Sequence, residues 1–294
     1  MIKKILVAAS IAAMSTVATA QVSLSGKISV WGDNTKVGNA SSATTMWNEP
    51  TNNVAINAQE KLGNGLTARA VVETSLHGNT LDNTGTRLGD RQATVGLAGK
   101  MGSLDLGRNV HSQFLAVANN DAFSTLYGSV AGDVHNLRGL RISDGTFVSV
   151  TAIPGLTVSY DRSQTPGLEA TAASVGGSVG PVKAVVARYE LNNEVSTVYG
   201  LNGKVGSTQL FYSHSDNQGV LNSKGHLVGA RHPLGAFTVK GSYGQTDTDV
   251  KAYSVGLDYA LSKRTEVGVA YRNVDKLAVV HDVKQIGVGL THRF

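Results

Sequence analysis

The sequence predicts an all-β fold: a transmembrane antiparallel β-barrel of 16 strands with a long third loop folded into the lumen. Three observations predict it. Apolar residues alternate with polar residues or glycine along most of the chain, and tight-turn signatures interrupt that alternation at hairpin spacing. Beyond residue 20, nothing approaches the eighteen consecutive apolar residues that a membrane helix requires. Composition narrows the field further. Of 294 residues 34 are Gly, 41% are hydrophobic and only 16% are charged, and the absence of Cys excludes disulfides, thiol catalysis and Cys-ligated zinc.

The opening residues 1–20, MIKKILVAASIAAMSTVATA, carry Lys3 and Lys4, an uncharged apolar run to Met14, then Ala18-Thr19-Ala20. This is the charged, apolar and small-x-small order of a secretory signal peptide, which places a barrel domain at 21–294 with Gln21 first. A buried helix or membrane anchor is the competing reading. The apolar run is too short to span a bilayer, and alternating sequence follows at once. Losing the two leader lysines lowers the net charge by two from +5, and with no basic stripe and an export signal, nucleic acid is not an expected partner.

The first strand sets Val22, Leu24, Ile28 and Val30 against Ser23, Ser25, Lys27 and Ser29. Further on, Tyr253, Val255, Leu257 and Tyr259 oppose Ser254, Gly256 and Asp258, and Val267, Val269 and Tyr271 oppose Glu266, Gly268, Ala270 and Arg272. The last strand sets Ile286, Val288, Leu290, His292 and Phe294 against Gln285, Gly287, Gly289, Thr291 and Arg293. Turns are marked at Gly63, Met101, Pro154, Gly180, Gly206, Leu234 and Ser262, which divide the chain from Gln21 into eight hairpins. Successive markers lie roughly 26 to 28 residues apart from Pro154 to Ser262, room for two strands of about ten residues, the length a tilted strand needs to cross a bilayer. A soluble β-sandwich also alternates, but its strands recur at shorter spacing. A barrel this wide holds water, which explains one apolar face and one polar or glycine-rich face.

Three hairpins are longer than the rest. Residues 33–52 and 78–87 are rich in Asn, Ser, Thr and Gly and read as surface loops, the second also as a latch onto a neighbouring subunit. The third extension, about 109–138, loses the alternation and carries Phe114, Leu115, Val117, Phe123, Leu126, Tyr127 and Val130. These apolar groups need a partner. Folding inward against the barrel wall supplies one and narrows the lumen; an outward lobe or an oligomer contact is the alternative.

The opening VSLSGKISVWG, the segment GSLDLGRN before the long loop, LRGLRISDGTFVSVTAIPGLTVSYD after it and the terminal GVGLTHRF resemble the trimeric general porins of Gram-negative bacteria, in particular the anion-preferring type of beta-proteobacteria. That resemblance covers essentially the whole chain after the leader. It implies a homotrimer in the Gram-negative outer membrane, in contact with lipid and lipopolysaccharide. The function it implies is a water-filled channel for passive diffusion of small hydrophilic solutes and ions, with weak anion preference. Phe294 resembles the terminal aromatic read by the barrel-assembly machinery.

A water-filled pore selects by diameter and by rings of charge, which count for more beside a low-dielectric wall. The residues expected at the constriction are Lys27, Arg69, Arg91, Arg108, Arg138 and Arg141, with Asp121 and Asp133 from the inserted loop. Parity places Lys27 and Arg69 inward, since Leu66, Ala68, Ala70 and Val72 take the other face. It points Arg108 outward with Leu104 and Leu106, unless a bulge intervenes, and leaves Arg91 open at a strand start. Tyr160, Tyr212, Tyr243, Tyr253, Tyr259, Tyr271 and Phe294 suit interfacial girdles. His214, His226, His232, His281 and His292 read as surface or rim groups. No Gly-x-Ser-x-Gly elbow, His-Glu-x-x-His pair or acidic calcium loop occurs, so neither catalysis nor a cofactor nor a metal is expected. A substrate-specific channel or a surface adhesin remain the alternatives to a diffusion pore.

Overall fold

Alternation becomes strand from the first residues after Ala20. β1 (Gln21–Val37) pairs along its first half with β3 (Asn53–Gly63), from Gln21↔Gln59 to Lys27↔Asn53. Its second half pairs with β2 (Ala43–Asn48), from Val30↔Asn48 to Thr35↔Ala43. β2 and β3 are therefore consecutive halves of one stave, parted at 49–52. The computed structural model describes residues 20–76, 87–135, 137, 139–219, 222–275 and 282–294. Residues 1–19 of the leader, residues 78–86 of the second assigned loop, and the single residues Arg138 and His281 lie outside the described residues.

The chain then meanders, each strand antiparallel to the one before. β4 (Leu66–Ser75), β5 (Gln92–Gly99) and β6 (Gly102–Val110) precede two short helices, α1 (Ser112–Asn119) and α2 (Ala131–His135). β7 (Arg141–Val150), β8 (Leu156–Ser163), β9 (Ala170–Val179), β10 (Val182–Leu191) and β11 (Glu194–Val205) follow. The wall continues through β12 (Thr208–Gln218), β13 (Ser223–Leu234), β14 (Phe237–Thr246), β15 (Lys251–Ala260), β16 (Thr265–Asp275) and β17 (Val283–Arg293). β17 returns to β1, from Lys27↔Arg293 to Val37↔Val283, so the sheet closes. Seventeen segments thus make a barrel of sixteen staves. All seven turn markers fall at strand junctions, and Gly63, Asn64 and Gly65 turn with φ of 91°, 51° and 78°, a path that glycine takes without steric cost.

Burial is inverted relative to a water-soluble sheet. Val22, Val95 and Val288 are 66%, 61% and 58% exposed, whereas Ser29, Ser213 and Ser215 are fully buried. Apolar side chains cover the outside, where closure leaves no unpaired strand edge facing lipid. Tyr160, Tyr212, Tyr243, Tyr253, Tyr259 and Phe294 are all exposed on this outer surface, and Tyr271 is partly so. Tyr212, Tyr243 and Tyr253 fall in one row through the pairs Tyr212↔Val228, Val228↔Tyr243 and Tyr243↔Tyr253. Phe294 zips the seam: it exchanges two 3.0 Å backbone hydrogen bonds with Gly26, and its ring lies where a side chain on Gly26 would stand.

One loop assignment is corrected. Most of 33–52 is strand, because β1 and β2 run on as a polar hairpin. Thr45 Oγ1 donates to Asp33 Oδ1 at 2.6 Å, and Asn34 Nδ2 donates to Thr44 Oγ1 at 3.1 Å. Cross-strand bonds between side chains hold a ladder here without an apolar face.

The pore wall and the inserted loop

The long third connection does not project outward. α1 packs against β8 to β11, and α2 against β12 to β15. Val117, Val130, Ala131 and Val134 are buried with Ala187, Val198, Leu227, Ala252 and Val274, all on the face opposite the exposed apolar residues. The segment therefore follows the inner wall, and glycines supply its sockets. A Cβ on Gly256 would stand 2.9 Å from Phe123, one on Gly225 would overlap Val134, and one on Gly287 would overlap the Tyr127 hydroxyl. At the tip Tyr127 stacks on Trp31 at 4.1 Å, with Trp47 edge-on at 5.1 Å.

Polar contacts fix the same path. Arg231 Nε donates to the Ala122 carbonyl at 2.9 Å, its Nη2 reaches Ser124 Oγ at 3.0 Å, and Lys240 Nζ lies 4.9 Å from the centre of the Phe123 ring. Glu49, in the break between β2 and β3, accepts from Tyr127 N at 3.1 Å, from Thr51 and from Lys27. His111 caps α1 by accepting from Phe114 N at 3.2 Å, and its Nε2 donates to the Gly139 carbonyl at 2.8 Å. Its ring stacks on Tyr189 at 4.1 Å. Burial pushes its pKa down to about 4. His135 is held between the hydroxyls of Ser213 and Ser215 at 2.8 and 2.9 Å, and burial pushes it down to about 3.

The expected constriction residues divide into two groups. Lys27, Arg69 and Arg91 lie on the wall formed by β1, β4 and the start of β5, and Arg141 opens β7 beside the buried Ile142, opposite Val110 in register. Lys27 pairs with Glu49, and Arg91 with Glu73 and the Pro50 carbonyl. Arg69 grips Asp105 with both Nε, at 2.8 Å, and Nη2. Arg141 lies within electrostatic reach of Arg91, Arg108, Glu73 and Asp90. Arg69 keeps 38% of its side chain exposed, the most open of the three paired cations.

Arg108 and Asp121 are corrected. A bulge does interrupt β6 between Gly107 and Asn109, yet Arg108 still pairs with Ala93 on the parity of Leu104 and Leu106. Its guanidinium is tied to the Asp90 carbonyl at 2.6 Å and to Ser143, so it clamps strand ends at the rim. Asp121 is fully buried and accepts from Phe123 N, Thr125 N and Ser129 Oγ at 3.1, 2.8 and 2.7 Å, so it shapes the loop. Asp133 is paired with Arg272 at 2.8 Å. Arg138 lies outside the described residues.

Glu49, Glu73 and Asp105, which balance the basic wall, and Arg231, Lys240 and Arg272, which hold the loop, were not singled out from sequence. Parity marks several of them: Asp105 falls between Leu104 and Leu106, Lys240 between Val239 and Gly241, and Arg272 beside Tyr271. Glu49 had no such signal, since it lies where alternation breaks.

Residues 7–294 match the family model described as Gram-negative porin. The chain belongs to that family. As a porin it resides in the Gram-negative outer membrane and forms a water-filled channel for passive diffusion of small hydrophilic solutes and ions. The family and fold are those of non-enzymatic channels. Among solved structures, the porin resembles the anion-selective porin from Comamonas acidovorans, with a TM-score of 0.80 and 19% identity over 94% of this chain and 100% of that one. OmpF of Salmonella typhi, in complex with daunomycin, gives 0.72 and 15% over 93% and 97%. The trimer form of OmpT of Vibrio cholerae gives 0.70 and 10% over 94% and 100%. No curated protein matches the porin by sequence.

Proposed function

We propose that this porin is a homotrimeric, weakly anion-preferring diffusion channel whose selectivity is set by the basic wall of Lys27, Arg69, Arg91 and Arg141. The observation that carries this reading is a charge imbalance. Three carboxylates, Glu49, Glu73 and Asp105, pair with Lys27, Arg91 and Arg69, while at the neighbouring strand ends the two cations Arg108 and Arg141 share one carboxylate, Asp90, which leaves one positive charge in excess. Across the lumen the loop offers no counterweight, since Asp121 is buried and Asp133 is paired with Arg272. A permeating ion at this wall is poorly screened, so one net charge biases its passage.

The solved neighbours support the same reading by name, one as an anion-selective porin and one as a trimer. Trimerisation would bury part of the outer apolar surface, with lipid and lipopolysaccharide covering the remainder. A cleaved leader at 1–20 would export the chain, and Phe294 would present it to the barrel-assembly machinery. No catalytic role is assigned. Planar-bilayer recordings across a salt gradient test the proposal: the reversal potential has the sign of anion preference, and a cation-selective or non-conducting protein overturns it.

A further inference from the structure

The outer wall carries a pair of histidines that the channel does not use. His214 on β12 and His226 on β13 are directly opposite in register, point outward, and bring their rings to 4.3 Å between centroids with a 31° tilt. Chemistry fixes one tautomer. His214 Nδ1 lies 3.0 Å from the Gly225 carbonyl, which can only accept, so Nδ1 carries the proton and Nε2 keeps its lone pair. His226 Nδ1 lies 3.0 Å from the Tyr212 hydroxyl, which can accept in the same way and free the second Nε2. A metal-ligating histidine characteristically donates its remote N–H to a carbonyl or another oxygen, and both rings have such a partner.

The geometry points to a divalent transition-metal site in which Nε2 of His214 and Nε2 of His226 ligate one ion on the lipid-side surface of the barrel, with water completing the shell. Bonds of about 2.0–2.1 Å need the two nitrogens closer than the present ring separation, and the broad χ2 torsion of histidine allows that convergence. Imidazole pairs favour Cu(II), Ni(II) and Zn(II) over Mg(II) and Ca(II). No cluster of three His, Cys, Asp or Glu side chains able to hold a metal occurs among the described residues, so the protein supplies two ligands. Asp216 on the same face is paired with Lys224 at 3.2 Å, and His135 lies on the inner side of β12 between Ser213 and Ser215. The site lies one step along the strands beyond the row of Tyr212, Tyr243 and Tyr253, where the apolar band gives way to polar side chains.

The test uses the complete detergent-solubilised porin titrated with Cu(II) and followed by electron paramagnetic resonance. Wild type takes up one ion per chain with two coordinated nitrogens. His214→Ala and His226→Ala each weaken binding at least about tenfold and leave a one-nitrogen signature, while Mg(II) fails to compete. Tyr212→Phe, which keeps both imidazoles and removes only the partner of His226 Nδ1, gives a smaller loss in the same direction. Unchanged bilayer conductance reports that each variant is folded. Binding that is equal in wild type and the double alanine variant, or a one-nitrogen signal in wild type, overturns the proposal.

Discussion

Tyr127 lies flat against Trp31, with ring centroids 4.1 Å apart and planes 13° from parallel, and this contact ties the tip of the inserted loop to the first strand. Gly287 leaves room for the Tyr127 hydroxyl, and Gly289 for the Trp31 indole. Because Tyr127 is also flanked by Trp47, it cannot swing aside freely. Gly287→Ala is expected to expel the ring, cost about 1–3 kcal/mol and raise single-channel conductance. Thermal unfolding and bilayer recording of the variant check both effects.

Glu49 is 3% exposed and serves three partners: Lys27, Thr51 and the backbone of Tyr127. Glu49→Gln leaves the Lys27 ammonium half-buried without its counter-charge, a change of about 3 kcal/mol when such a pair is broken from one side. The expected phenotype is a less stable loop together with stronger anion preference. Stability that falls with no change in reversal potential would mean that Lys27 does not face the ion path.

Arg69 and Asp105 make opposite tests of the basic wall. Removing the cation with Arg69→Ala should lower the anion-to-cation permeability ratio, and Asp105→Asn should raise it. Each is expected to act about twofold to fivefold, the scale of one charge acting over a few ångströms of water. Reversal potentials of the two variants should therefore move in opposite directions from wild type.

Low pH should loosen the loop. His111 has its pKa pushed down to about 4 in the folded protein against 6.5 for the free side chain, so its contribution is complete above pH 6.5 and declines as pH falls toward 4. The full loss is about 3 kcal/mol. Protonation removes the acceptor that caps α1 at Phe114 N, and His135, pushed down to about 3, adds a second site of the same sign. Hydrogen exchange along Ser112–Asn119 should be unchanged from pH 8 to 6.5, after intrinsic correction, and accelerate between pH 6 and 4. His111→Asn, which retains a capping acceptor, should flatten that dependence.

The barrel was legible because two independent codes agree: period-two alternation sets each strand's faces, and Gly, Asn and Pro mark its ends. The 33–52 stretch was misread as loop because its ladder is made by Asp33, Thr44 and Thr45, which carry no apolar signal. Inner glycines were read as water-facing. Gly225, Gly256 and Gly287 instead receive Val134, Phe123 and Tyr127, and such matches join residues from 91 positions apart upward that no local pattern links. The basic wall was half legible. Parity found Arg69 and kept Arg108 on the outer face, but the carboxylates opposite the cations come from neighbouring strands and from a break in β2–β3.

Trp31 belongs to the first stave, while Gly287 and Gly289 belong to the last. The niche that receives Tyr127 therefore exists only once the two ends of the sheet have met. Sealing the wall and narrowing the aperture are consequently one event: a half-zipped intermediate has no finished hole, and a finished one arrives already throttled. The permeability barrier is spared an unrestricted leak, because the hydrogen bonds that close the wall also complete the receptacle for the plug.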